Sequence, residues 1–170
     1  MPSSLESPAL DPATVPGWLG LDHVAIAVRA GELEGHVASW RALGFREIHR
    51  EEVAGGDQVR EVLLAPGVPG AAGGADATAI QLLEPLSDAS PVARQIERNG
   101  GRGGLVHVAW RVRDARAAFA AIRAQGQRII DAAPRPGSRG TTVFFVHPKP
   151  ETEVAGLGCL VEIVEAGAHG

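Results

Sequence analysis

Residues 21–28 read LDHVAIAV, and residues 105–112 read LVHVAWRV. Five of the eight positions carry the same residue, and in both stretches the one histidine stands third. Each stretch is short, mostly apolar and rich in small or β-branched residues, which is typical of a strand buried in a sheet. A histidine near the start of such a strand, present twice in one chain, indicates an internal repeat.

The repeat extends well beyond these two strands. Four pairs of landmarks are separated by 81 to 84 residues: His23 and His107, Gly44 and Gly126, Pro66 and Pro148, and Gln81 and Glu162. A nearly constant offset over several elements is the signature of a duplicated structural unit. The sequence therefore predicts two copies of one module.

Hydrophobic periodicity predicts the same order of elements in both halves of the chain. In the first half, a strand at 21–28 is followed by a helix at 31–43 and by strands at 45–53, 59–64 and 79–84. In the second half, a strand at 105–112 is followed by a helix at about 114–125 and by strands at 127–131, 141–146 and 159–165. These patterns predict an α+β fold of two tandem βαβββ modules, at about 20–86 and about 104–166, within a single domain at 20–170.

The segments outside the modules have their own signals. Ser90 is a suitable N-cap and Pro91 suits the first helical position, so we predict a crossover helix at about 90–99. Residues 1–19 contain four prolines and no basic residue. Because they lack the charged and apolar regions of a signal peptide, we expect a disordered leader.

Composition excludes several classes of function. The formal net charge is −4 and the pI is about 5.8, so we expect neither nucleic acid nor an anionic membrane as a partner. No apolar run approaches the roughly 20 residues of a membrane span. Cys159 is the single cysteine, which rules out an internal disulfide and gives no sign of an oxidising compartment. We therefore expect a cytoplasmic protein.

Each module places two conspicuous polar residues among apolar neighbours in strands that are mostly apolar. These are His23 and Gln81 in the first module, and His107 and Glu162 in the second. If the modules pack about a pseudo-two-fold axis, the four side chains converge. Two imidazoles, an amide oxygen and a carboxylate form a nitrogen and oxygen ligand set that suits Co²⁺, Mn²⁺, Ni²⁺, Zn²⁺ or Mg²⁺.

Each of these four residues, taken alone, could also be a structural residue with no part in a metal site. A single histidine at the start of a strand is most often a core or surface residue, and Gln81 alone would carry no signal. Four such residues at equivalent positions of a repeat favour a metal site over this interpretation.

Several motifs together resemble the vicinal oxygen chelate superfamily, which includes glyoxalases, bleomycin resistance proteins and dioxygenases. They are DHVAIAV, the LGF after the first helix, QLLEPL followed by DASPVA, GLVHVAWRV, FFVHPK and LVEIVE. The similarity spans about residues 20 to 166 and, through IQLLEPL and FFVHPK, is strongest to the methylmalonyl-CoA epimerases. It implies a half-barrel of paired βαβββ modules around a metal site, an acyl-CoA substrate and a homodimer.

The resemblance also implies residue roles. It places metal ligands at His23, Gln81, His107 and Glu162, and a catalytic glutamate at Glu61, with Glu162 as a candidate second base. From the sequence alone, Glu61 would instead be a solvent-facing strand carboxylate. The implied reaction is the interconversion of (R)- and (S)-methylmalonyl-CoA, or of a related 2-substituted malonyl-CoA, through a metal-chelated enolate.

Two positions depart from the epimerase pattern and bear on the choice of substrate. Val106 stands where these epimerases usually have a second histidine, and the segment PETEVAGLG at 150–158 is longer than their usual turn. The alternatives are another enzyme of the superfamily, such as a glyoxalase-like lyase or isomerase or a dioxygenase, and a binding protein of the bleomycin resistance type. Such binders usually lack the metal ligands, so the intact set argues against this class.

Overall fold

The computed structural model describes residues 12–67, 77–149 and 157–165. The chain divides into two compact units. One unit is Asp22–Val108, and the other comprises the residues that precede and follow it. The boundaries fall within two strands, so these strands contribute residues to both units.

The unit Asp22–Val108 contains the elements of the first module, the crossover helix and the start of the strand that follows it. They are β1 (Trp18–Ala27, from Asp22 onward), α1 (Leu33–Ala42), β2 (Phe45–Val53), β3 (Val59–Pro66), β4 (Ala79–Pro85), α2 (Pro91–Arg98) and the first half of β5 (Gly104–Val112). Within this unit the strands lie in the order β2-β3-β4-β1-β5. β3 is antiparallel to both of its neighbours, whereas β1 and β4 are parallel. α2 follows β4, and the Ser90 hydroxyl caps it by accepting a hydrogen bond from Val92 N–H.

The two faces of this sheet have different neighbours. Side chains of successive strand residues point to opposite faces, so Ile26, Ile80 and Leu82 share one face. They pack in one cluster with residues of α1 such as Leu33. The opposite face carries Ala27 and Leu83, which pack with Val92 and Ile96 of α2. The strand positions His23, Gln81 and Glu61 have the same alternation as this second face.

The second unit repeats part of this arrangement. Its elements are a 3₁₀ helix at Pro12–Thr14, the remaining residues of β1 and β5, α3 (Ala115–Ala124), β6 (Arg135–Pro136), a 3₁₀ helix at Ser138–Gly140, β7 (Thr142–Val146) and β8 (Leu160–Glu165). β7 is antiparallel to β6 and β8. Ile122 of α3 packs against Phe144 and Ile163, and all three side chains are fully buried.

The repeat also duplicates a helix cap. Glu84, at the end of β4, is buried and accepts hydrogen bonds from Gly31 N–H at 2.7 Å and Leu33 N–H at 3.2 Å. Its equivalent, Glu165 at the end of β8, accepts one from Ala115 N–H at 2.6 Å. A carboxylate at a helix N-terminus satisfies orphan N–H groups and interacts favourably with the helix dipole. In each module the last strand therefore holds the start of the first helix.

One predicted strand is wrong. Residues 127–131 form an isolated bridge between Ile129 and Val146 rather than a strand. Ile130 N–H still donates to Phe145 C=O at 2.8 Å, but Phe145 N–H donates to the side-chain carboxylate of Asp131 at 2.7 Å. Because a side chain replaces the backbone acceptor, the ladder ends there. The edge strand is instead the two-residue β6.

The boundary of the disordered leader is also corrected. Within the predicted leader 1–19, residues 12–14 form a 3₁₀ helix, Val15 is buried and β1 begins at Trp18. The prediction for residues 1–11 lies outside the described residues, as does most of the predicted insertion at 150–158. No helix in the described part of the chain is long and apolar enough to cross a membrane.

The cap made by Glu84 predicts a stability effect. Glu84→Gln removes the charge that serves two helix N–H groups and the Arg60 guanidinium, which lies 2.7 Å away. We expect the free energy of unfolding to fall by about 1–3 kcal/mol in urea denaturation. The exposed Glu97 of α2 provides the control, and Glu97→Gln should change it by less than about 0.5 kcal/mol. Equal effects of the two substitutions would contradict the cap.

Candidate metal centre

The sheet of the unit Asp22–Val108 has a polar patch on the face opposite α1. We call this patch the polar face; its residues are His23, His49, Glu51, Glu61, Gln81 and His107. Four of them, His23, Glu61, Gln81 and His107, are buried. Because burying polar groups is costly unless they are satisfied, their grouping calls for a chemical explanation.

The two repeat histidines meet on this face. Their Nε2 atoms lie 2.9 Å apart, and the rings pack edge to face. The Nδ1 atom of His23 lies 2.7 Å from the Asp22 carboxylate. Because a carboxylate only accepts, Nδ1 carries the proton, and the lone pair of His23 Nε2 points towards His107. A carboxylate behind a histidine is the usual support of a metal-ligating imidazole.

Gln81 has one satisfied and one unsatisfied end. Its Nε2 donates to the Glu61 carboxylate at 3.0 Å, which fixes the direction of the amide. Its carbonyl Oε1 is buried and has no hydrogen-bond partner among the described residues. A buried acceptor without a partner costs about 1–3 kcal/mol, and a bound cation would satisfy it. This orphaned oxygen lies on the same face of the sheet as the two imidazoles, and an oxygen and two nitrogens of this kind fit a divalent ion.

Gln81 and His23 are close neighbours on the sheet. β1 and β4 are parallel, with Ala25 opposite Gln81 and His23 opposite Ala79. Gln81 and His23 therefore lie on diagonal positions of one face. Three of the four predicted ligands, including His107, thus belong to one surface of one unit.

Glu61 is buried beside Gln81, in β3. It is 4% exposed, which excludes the solvent-facing interpretation of this carboxylate. One oxygen accepts the Gln81 amide, and the other lies 3.7 Å from Nε2 of His49. A carboxylate held in this way on a buried polar surface is suited to proton transfer.

Glu162, the fourth predicted ligand and candidate second base, lies in the other unit. It is buried in β8, opposite Phe145 of β7. Its participation in the site stays a prediction.

The sequence patterns indicate no role for Asp22, His49 or Glu51. Asp22 precedes a predicted ligand, and that adjacency was its one signal in the sequence. His49 lies in a strand of alternating pattern, which by itself predicts a surface residue. The pairing of β2 with β3, which sets Glu51 opposite Glu61, shows that His49 and Glu51 face the catalytic candidate.

The chain matches a known family over most of its length. A model of the glyoxalase/bleomycin resistance protein/dioxygenase superfamily matches residues 22–145. The ethylmalonyl-CoA/methylmalonyl-CoA epimerase of Cereibacter sphaeroides is 33% identical over 144 residues, which cover 84% of this chain and 95% of that protein. The mitochondrial methylmalonyl-CoA epimerase of Homo sapiens is 32% identical over 168 residues, which cover 96% of this chain and 85% of that protein.

Solved structures have the same fold. The methylmalonyl-CoA epimerase from Mycobacterium tuberculosis superposes with a TM-score of 0.73 at 33% identity, covering 89% of this chain and 91% of that one. A methylmalonyl-CoA epimerase in complex with methylmalonyl-CoA and NH4+ gives a TM-score of 0.73 at 34% identity, covering 89% and 96%. The predicted α+β fold class of paired βαβββ modules is confirmed. The chain belongs to the glyoxalase/bleomycin resistance protein/dioxygenase superfamily.

Proposed function

We propose that this protein is an epimerase that interconverts (R)- and (S)-methylmalonyl-CoA, or a closely related 2-substituted malonyl-CoA. The observation that carries the proposal is the Gln81 amide, which holds the buried Glu61 carboxylate with one end and with the other offers an oxygen that none of the described residues satisfies. A proton-transfer group and a ligand group are thereby joined in one contact. The similarity to methylmalonyl-CoA epimerases over most of the chain supports the same activity.

The reaction needs both kinds of group. The α-carbon of the substrate lies between a thioester and a carboxylate, and its proton becomes acidic when the charge of the resulting enolate is stabilised. His23, Gln81, His107 and Glu162 would hold a divalent ion such as Co²⁺, Mn²⁺, Ni²⁺, Zn²⁺ or Mg²⁺. When bound, this ion supplies positive charge close to oxygens on which negative charge develops.

The chain itself moves the proton. Glu61 takes the α-proton on one face of the substrate, and a proton returns on the opposite face, for which we propose Glu162. The Gln81 amide holds one oxygen of Glu61, so the other oxygen is the one positioned for transfer. General base catalysis of this kind contributes about 10²- to 10⁴-fold to the rate. No oxidant or reductant is required.

Resemblance to this superfamily supports a homodimer. An acidic chain with a single cysteine supports a cytoplasmic location. The substrate partner is a small-molecule acyl-CoA.

The role of Glu61 predicts that a substitution there reduces α-proton exchange without releasing the metal. Glu61→Gln keeps an oxygen for the Gln81 amide but removes the base, so exchange of the α-proton of methylmalonyl-CoA with deuterated solvent should fall by at least about 10²-fold. Mass spectrometry of the substrate measures the exchange. The tightly bound metal should remain. Exchange at the wild-type rate would remove Glu61 from its assigned role.

The role of His107 predicts loss of the ion. His107→Ala deletes one imidazole of the pair, so the ion retained after gel filtration in chelator-treated buffer should fall from one per chain to a small fraction of that. Elemental analysis measures it. His36→Ala, on the exposed face of α1, is the control and should retain the ion. Full occupancy in His107→Ala would disprove the ligand set.

The contact between Asp22 and His23 predicts that a substitution at Asp22 weakens metal binding less than His107→Ala does. Asp22→Asn keeps the shape of the side chain but weakens the partner of His23 Nδ1, so metal affinity should fall by about 10- to 100-fold. Titration against a coloured competing chelator measures this change. Asp57→Asn in the exposed β2–β3 turn is the matched control. An unchanged affinity in Asp22→Asn would show that the carboxylate does not support the ligand.

A further inference from the structure

A second cluster of potential ligands lies on the polar face, beside the base rather than the histidine pair. It consists of His49, Glu51 and Glu61, each of which offers one ligand atom, and these atoms lie within 4.8 Å of one another. His49 Nε2 is 3.2 Å from an oxygen of Glu51 and 3.7 Å from an oxygen of Glu61. We call these three residues the His49 cluster.

These separations match those of ligands around one small ion. Zinc binds nitrogen and oxygen at about 2.0–2.2 Å, so two ligands of a tetrahedral site lie about 3.3–3.6 Å apart. The two measured distances bracket this range. Small side-chain rotations would bring the three atoms onto one ion.

The backbone places these ligands in advance. Glu51 and Glu61 are direct partners in the β2–β3 ladder, and His49 lies two residues from Glu51 on the same face. The Gln81 amide already donates a hydrogen bond to the other oxygen of Glu61, and metal-ligating carboxylates are commonly oriented by such hydrogen bonds.

The charge of the cluster also favours a cation. It contains two carboxylates, while two arginines of the same strands, Arg50 and Arg60, are paired with other carboxylates. Arg50 pairs with Glu34 and Glu47. Arg60 pairs with Glu52 and Glu84. Neutral His49 with two carboxylates balances a divalent ion.

We propose that the His49 cluster is a second, inhibitory metal site, selective for zinc-like ions, that competes for the base. The first part of the proposal, binding, is independent of the reaction. The second part, inhibition, rests on the proposed epimerase function, because Glu61 cannot accept the α-proton while both of its oxygens are engaged. With three protein ligands and His49 and Glu51 25% and 34% exposed, the site exchanges with solvent and fills only when free metal is in excess.

Equilibrium dialysis against excess Zn²⁺ tests the site without reference to activity. We expect two ions per wild-type chain, one tightly bound and one weakly bound. His49→Gln should weaken the second ion at least tenfold and leave the first in place. His107→Ala should do the reverse, losing the tight ion and keeping the weak one. Glu51→Gln should weaken the second ion as His49→Gln does.

Two controls separate this site from surface binding. His36 also faces a glutamate, Glu32, at 3.9 Å on the exposed surface of α1, so His36→Gln is a matched variant and should still bind two ions. A wild-type chain that binds one ion, or a second ion that survives His49→Gln and Glu51→Gln, would overturn the proposal. Circular dichroism confirms folding of each variant, and both cluster positions are partly exposed, so the fold should tolerate them.

A rate measurement tests inhibition separately. The ratio of α-proton exchange without and with excess Zn²⁺ should exceed ten for the wild type and approach one for His49→Gln. An equal ratio in both proteins would overturn inhibition through this cluster. Absence of any exchange in the wild type would contradict the epimerase function instead, and the dialysis result would still decide the metal site.

Discussion

The hydrogen bond from the Gln81 amide to the Glu61 carboxylate is the contact on which the site depends. It sets the direction of the amide, so the carbonyl oxygen turns away from Glu61 and stays buried, with no hydrogen-bond partner in the part of the chain that the structure describes. It also holds one oxygen of the base. Reversing the amide would place two acceptors together and lose both effects, so one contact couples the ligand group to the proton-transfer group. The His49 cluster extends the same surface from the other side of Glu61.

Duplication explains the scaffold, and divergence between the copies explains the chemistry. Glu84 and Glu165 are kept in both modules because each caps the first helix of its own unit. Glu61 has no such counterpart. Its equivalent in the second module is Val143, which is buried in an apolar cluster. A carboxylate that the duplicated fold does not require is better explained by a reaction, and this asymmetry favours an enzyme over a passive binding protein.

Much of the fold could be predicted because the hydrophobic periodicity and the glycines and prolines that end the elements indicate the same boundaries. Alternating or apolar runs ended by Gly44, Pro66 or Gly126 located the strands and helices to within a few residues. The strand at 127–131 failed because Asp131 satisfies a backbone N–H that a strand partner would otherwise take, and side-chain competition of this kind has no periodic signal.

The site was predicted less completely than the fold. The repeat indicated His23, Gln81 and His107, because equivalent positions in two modules reinforce one another. His49 and Glu51 have no repeat signal, and what gives them a role is the pairing of β2 with β3. The role of a strand residue with intermediate exposure cannot be inferred until its cross-strand neighbour is known. The burial of Val15 was not predicted for a similar reason, because this residue of a proline-rich segment is buried by contacts with residues distant in sequence.

The most direct test of the central claim is α-proton exchange of methylmalonyl-CoA by the wild-type protein in deuterated solvent, before and after removal of metal by a chelator. The account predicts rapid exchange that stops on chelation and returns when about one equivalent of Co²⁺ per chain is added, with no turnover of the methylglyoxal–glutathione adduct. Exchange that is insensitive to the chelator, or turnover of the adduct without exchange, would contradict it.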